Sequence, residues 1–129
     1  MEIKANLNYL RISPRKTRLV AGLIKGMRVK RAEEHLGRSI KRSARPLLKL
    51  LRSAVANARQ NFQLPDGELY VKDVRVDEGP ALKRFRPRAF GRSASIRRRA
   101  SHVSLVLETG GASAPRIERA RVEPVVRDA

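Results

Sequence analysis

A chain of 129 residues with 30 Lys and Arg against 12 Asp and Glu carries a formal charge of +18 and a pI near 11.7. That balance is foreign to an ordinary soluble enzyme and asks for a polyanionic partner to relieve self-repulsion. The absence of cysteine excludes disulfides and thiolate or zinc-thiolate chemistry, while no apolar run approaches the ~20 residues that span a bilayer.

The length fits one domain, and a hydrophobic content of 41% suffices for a modest core. Ile3, Ala5, Leu7 and Tyr9 alternate with Glu2, Lys4, Asn6 and Asn8, which predicts a half-buried strand. Ser13 is placed to cap a helix whose first position is Pro14, where the missing N–H costs nothing. Leu19, Val20, Leu23 and Ile24 follow at helical spacing, with Arg15, Arg18 and Lys25 on the other side. Lys16 packs its stem near the apolar face and snorkels its ammonium outward. Gly26 ends the helix in a left-handed conformation. A shorter helix is predicted from Val29 to Leu36, with Ala32 and Leu36 inward and Gly37 as its stop. A third runs from about Ser43 to Asn61, with Ser43 as N-cap and Pro46 in the first turn. Leu47, Leu51, Ala54, Val55, Ala58 and Phe62 gather on its inner side, and Arg45, Lys49, Arg52 and Arg59 on the opposite one. No acid occurs between Glu34 and Asp66. A charged stripe is ordinarily a solvated face, but such faces mix signs to gain i,i+4 pairs. An unmixed one is assigned to nucleic-acid contact.

Leu64-Pro65-Asp66-Gly67 is a turn. Leu69 to Asp77 reads as a strand with Val74 and Val76 on one face, and the phase break at Leu69 and Val71 predicts a bulge. Residues 79–102 then carry Lys83, Arg84, Arg86, Arg88, Arg92, Arg97, Arg98 and Arg99, with no acid between Glu78 and Glu108. Such a segment cannot build a core. With a return strand at Val103, Leu105 and Leu107 and a glycine reversal at Phe90-Gly91, it is predicted to be a hairpin arm reaching roughly 40 Å at about 3.3 Å per residue. A lone ribbon of that length is marginal in water, so it is expected to be mobile when free and ordered by its partner. Asp77 and Glu78 mark its base. Residues 110–129 begin with linker chemistry, Gly110-Gly111-Ala112-Ser113-Ala114-Pro115, and are expected to form a flexible C-terminal extension to a single domain at 1–109.

Enzymatic chemistry has little to stand on, and no cofactor or metal is expected. His35 and His102 are the only histidines, and neither has a thiol or a metal-ligand cluster nearby in sequence. His35 reads as a helix-surface residue. His102 stands where it can touch phosphate or pack at the base of the arm. Ser13-Pro14-Arg15-Lys16 resembles the Ser-Pro-basic units of DNA-binding tails, but it occurs once and opens an apolar-periodic helix, so capping is the stronger reading. An aromatic content of 4% leaves no regular stacking platform and points to phosphate and shape recognition. A DNA-binding architectural protein with a basic β-arm is the main alternative, although such proteins want an apolar dimerisation face. A membrane-surface protein would want aromatic residues along an amphipathic helix. The N-terminus lacks secretory or transit-peptide features, which predicts a cytosolic chain.

Four blocks together resemble the bacterial-type ribosomal protein L twenty-two family of the large ribosomal subunit. They are R-I-S-P-R-K-T-R-L-V from Arg11, S-A-V-A-N-A from Ser53, V-D-E-G-P-A-L-K-R from Val76, and P-R-A-F-G-R with the following R-R-R-A-S-H. The resemblance implies an α+β fold, three helices packed on a small three-stranded antiparallel sheet with a long protruding β-hairpin. It further implies a structural constituent of the subunit, cytoplasmic and ribosome-bound, that binds ribosomal RNA and supports assembly. Lys83, Arg84, Arg88, Arg92, Arg97 and Arg98 carry over as RNA contacts on the hairpin. Arg11, Arg15, Lys16, Arg18, Lys49, Arg52, Arg86, Arg99 and His102 complete the candidate RNA-binding set. The tip residues Ala89, Phe90, Gly91, Arg92 and Ser93 are implied to face the nascent-peptide exit tunnel near ribosomal protein L four, with the nascent peptide passing by. Neither a membrane nor a homo-oligomer is expected. Phe90 departs from the long polar or basic residue that family members often carry there, and the tail after Thr109 extends past the usual family end.

Overall fold

The computed structural model describes residues 1–110; all but the first residue of the expected C-terminal extension lies outside them. Strand β1 (Glu2–Leu10) leads into helices α1 (Pro14–Ile24), α2 (Val29–Arg38) and α3 (Ala44–Phe62). Strand β2 (Leu69–Glu78), the short strands β3 (Leu82–Pro87) and β4 (Ser93–Arg98), and β5 (Ser101–Thr109) follow. The architecture is α+β as predicted. An antiparallel sheet of order β1-β5-β2 carries the helices, and β3 and β4 form a separate two-stranded ribbon.

Strand β5 sits in the centre because Val103, Leu105 and Leu107 bury completely on one face while both its edges find partners. Against that face α3 lies over β1, and α1 over β2. Ala32, Ala44, Ala54 and Ala58 are fully buried, and these short side chains let helix and sheet backbones approach closely. The predicted bulge in β2 is present, as a register shift between Val71 and Asp73.

Several local expectations are overturned, among them the inward placement of Phe62, which is exposed at the end of α3, and the Ser43 cap, whose hydroxyl makes no capping bond. The alternation of β1 ends at Leu7, because a register shift before Leu10 and a positive φ at Tyr9 turn that ring outward. On α1 the buried stripe is Pro14, Thr17, Val20, Ala21 and Ile24, and Leu19 and Leu23 stand exposed. The smaller side chains of that stripe bring the helix close to β2. Gly37 does not stop α2, which runs on to Arg38. Ser13 occupies the N-cap position, but its hydroxyl makes no capping bond; instead the Thr17 N–H and hydroxyl both donate to its carbonyl at 3.1 Å. Gly26 is left-handed, with φ 80°, but as the third residue of a type II turn in which the Met27 N–H donates to the Ile24 carbonyl. Reciprocal bonds of 2.8 Å, Gly26 N–H to Val71 and Val71 N–H to Met27, dock that turn on β2.

Charged side chains lace the edges. Lys72 of β2 bonds Glu2 of β1 and reaches Glu108 of β5 at 3.4 Å, and the Tyr70 hydroxyl donates to Glu108 at 2.7 Å. Lys25 pairs with Asp73 at 2.7 Å. The bond from Lys72 holds the Glu2 carboxyl below its usual range, the Tyr70 hydroxyl does the same for Glu108, and Lys25 for Asp73. Depressed folded-state values contribute stability that is present above the ordinary carboxylate range and is lost as pH falls through the lowered values. Thermal unfolding is therefore expected to shift modestly downward below about pH 4, which melts across a pH series will check.

The arm does not leave the body as one continuous ladder. Pairing of β2 with β5 ends at Glu78 and Ser101, the Gly79 N–H donates to the Ala100 carbonyl at 2.8 Å, and pairing resumes only at Leu82 with Arg98. Pro80 and Ala81 thus set one extra residue against Arg99. A Cβ on Gly79 would lie 3.2 Å from the Ala100 carbonyl carbon and oxygen, so the glycine permits the close approach where the sheet hands over to the ribbon.

Candidate nucleic-acid interface

The ribbon pairs six residues on each strand, from Leu82 opposite Arg98 to Pro87 opposite Ser93. Every residue of β3 is exposed, and β4 is exposed apart from the half-buried Ala94 and Ile96. Strand alternation sends Arg84, Arg86 and Arg98 to one face and Lys83 and Arg97 to the other. Lys83 stands directly opposite Arg97, a like-charge pair that destabilises the free ribbon. Cations on both faces, with strand-on-strand pairing as the main packing, suit a ribbon clasped between two anionic walls.

At the tip the Arg88 N–H donates to the Arg92 carbonyl at 2.7 Å, and the Arg92 N–H to Ala89 at 3.4 Å. Phe90 at φ 59°, ψ 36° and Gly91 at φ 68° make this a type I′ turn. Gly91 suits its position. Phe90 does not, since a left-handed conformation costs a bulky L-residue about 1–2 kcal/mol, and its ring is 99% exposed with nothing to offset that cost. Phe90→Asn, which restores the favoured Asn-Gly pair, is expected to stabilise the free hairpin by about 1 kcal/mol. Slower hydrogen exchange at the Arg88 amide will show it.

At its base the ribbon closes one side of a cleft of about 1130 Å³ whose other walls are the end of β1, the start of α1 and the segment before α3. Of the predicted contacts, Arg11, Lys16, Arg97, Arg98 and Arg99 meet there. Lys41 and Arg42 join them; sequence reading missed both, although the run Lys41-Arg42 ahead of Ser43 was a visible signal. Ser101, wholly buried, donates its hydroxyl to the Ile12 carbonyl and so ties the R-I-S-P segment to the root of β5.

Other candidates are placed elsewhere or already engaged. Arg18 donates Nε–H and Nη2–H to the Val76 carbonyl at 3.2 and 3.1 Å, which fixes α1 to β2. His102 accepts the Tyr9 N–H on Nδ1 at 3.1 Å and meets the Tyr9 ring edge-to-face at 5.0 Å. Arg15 is exposed on α1. On α3 the stripe is divided. Arg52 lies 3.4 Å from Glu33 of α2, and Arg59 donates Nε–H to Asp66 at 2.7 Å, whereas Arg45 and Lys49 have no acidic partner among the described residues. The expectation of an unmixed stripe fails because folding imports acids that are remote in sequence. Arg99 lies 3.7 Å from Glu78, a loose pair at the arm's base. His35 is exposed on α2 as predicted.

Among the described residues no cluster of His, Asp and Glu could hold a metal ion, and no helix is long and apolar enough to cross a membrane. Residues 5–108 match the family model described as Ribosomal protein L22p/L17e. The chain belongs to that family. It is similar to the large ribosomal subunit protein uL22 of Syntrophus aciditrophicus (strain SB), with 50% identity over 108 residues covering 84% of this chain and 98% of that one. The uL22 of Mesoplasma florum is 53% identical over 107 residues, 83% of this chain and 96% of its own. That of Geobacter sulfurreducens is 50% identical over 107 residues, with the same coverage. Membership makes the chain a structural ribosomal protein of the large subunit, ribosome-bound in the cytoplasm, and not an enzyme.

Proposed function

We propose that this L22p/L17e family member binds large-subunit ribosomal RNA with two parts of its surface and so supports subunit assembly. The cationic cleft and the exposed side of the body seat it on RNA. The ribbon enters between two RNA segments, Arg84, Arg86 and Arg98 neutralising one and Lys83 and Arg97 the other. The tip from Ala89 to Ser93 lines the nascent-peptide exit tunnel, beside ribosomal protein L four and the passing peptide. The observation that carries this reading is the ribbon with cations on both faces and no apolar layer of its own. Each phosphate it neutralises releases a condensed counterion, and the contact relieves the repulsion between Lys83 and Arg97.

Sucrose-gradient fractionation of lysate tests it. The protein is expected to co-migrate with the large subunit and to be released by ribonuclease. Migration with DNA, or retention in a large particle after complete RNA digestion, would contradict the proposal.

A further inference from the structure

The cleft at the base of the ribbon has more than charge. Every charged residue that lines it is a cation, and between them lie the apolar groups of Tyr9, Ile12, Leu19 and Leu82. Three of these are large side chains left conspicuously exposed, Tyr9 and Leu19 at 68% and Leu82 at 52%. A purely phosphate-binding groove has no use for them.

Tyr9 is also presented at a conformational cost. Its φ of 58° is unusual for a bulky residue, and such a backbone persists only where its surroundings over-determine it. Here the bond from its N–H to His102 and the edge-to-face ring contact hold it, with the register shift in β1 turning the ring out of the sheet. The fold thus forgoes burial of an aromatic side chain that the strand's own alternation would have placed inward.

We infer that this cleft takes an unpaired nucleotide of single-stranded RNA, its base against Tyr9 and the neighbouring leucines and its flanking phosphates on Lys16, Lys41, Arg42 and Arg97. A wide cleft whose charged lining is all cationic and whose walls include one exposed aromatic ring matches the chemistry of a nucleotide, an apolar π-face flanked by anions. The low aromatic content argues against a repeating platform, but a single extruded base needs only one ring. This inference rests on the RNA-binding reading and adds base contact to it.

The test uses the full chain and two probes, a single-stranded oligoadenylate and the same oligomer with its bases removed. The two carry the same phosphates, so a difference in affinity reports the bases alone. The intact oligomer is expected to bind roughly ten-fold tighter, the order of one stacked base. Tyr9→Ala should abolish that preference, Tyr9→Phe should keep it, and Leu19→Ser, on an already exposed helix face away from the bulge, should reduce it. Equal binding of both oligomers by the unaltered chain would overturn the base site and leave phosphate-mediated RNA binding intact. A preference undiminished in Tyr9→Ala and Leu19→Ser would assign the base to the exposed Phe85 or Phe90 of the ribbon and likewise overturn it. Failure of the unaltered chain to bind either oligomer at low salt, or large-subunit ribosomal RNA itself, would overturn the RNA-binding reading as well.

Discussion

Replacing Arg97, Arg98 and Arg99 together with Gln is expected to weaken association with large-subunit ribosomal RNA and to flatten its salt dependence. Arg97 and Arg98 lie on opposite faces of the ribbon, and all three line the cleft at its base. Each phosphate left without its cation lowers the slope of log K against log salt by roughly 0.9. Arg99 is partly occupied by Glu78 at 3.7 Å, so the triple variant should lower the slope by about two rather than three. The body should be unaffected, because these side chains are solvent-exposed and bury no core surface. Affinity measured over a salt series checks this; an unchanged slope would mean that the triplet does not touch the RNA backbone.

The second large effect concerns the body that holds the ribbon's root. Leu51 of α3 is fully buried in the core between α3 and the sheet. Leu51→Ala removes a buried isopropyl group and leaves a cavity in the core, at an expected cost of about 3 kcal/mol. A domain of this size is stable by only about 5–15 kcal/mol, so the loss is a large fraction of the whole. Urea unfolding of the free protein should show a lower midpoint at an unchanged m-value. Leu19→Ala is the control, since the side chain it shortens is already in solvent and surface changes usually stay within about 0.5 kcal/mol. Equal destabilisation by the two would contradict the placement of α1.

Periodicity made most of the framework legible. The three helices, the strands, the bulge in β2 and the glycine reversal at Gly91 all follow from local chemistry, and so does the absence of a core under the arm. What escaped were the consequences of long-range packing. The register shift that turns Tyr9 outward is set by the pairing of β1 with residues near Ser101, more than ninety positions away. The choice of Thr17 and Ala21 over Leu19 and Leu23 as the buried face of α1 depends on how closely that helix must approach β2. The acids that neutralise Arg52 and Arg59 arrive from α2 and from the turn before β2. For the same reason the individual cations were visible in the sequence but the cleft that gathers them was not, because its walls come from four separate segments.

Because the chain contains no cysteine, a single introduced thiol can report each face of the ribbon. Ala94 lies opposite Arg86, and Ser95 opposite Phe85, so the two positions project to opposite faces. An iron–EDTA probe tethered at Ala94→Cys or at Ser95→Cys in reconstituted large subunits will cleave the RNA nearest that face. Two distinct RNA segments, one for each position, are the expected result for a ribbon clasped between two walls. Cleavage of a single shared segment from both positions, or of none from either, would contradict the account.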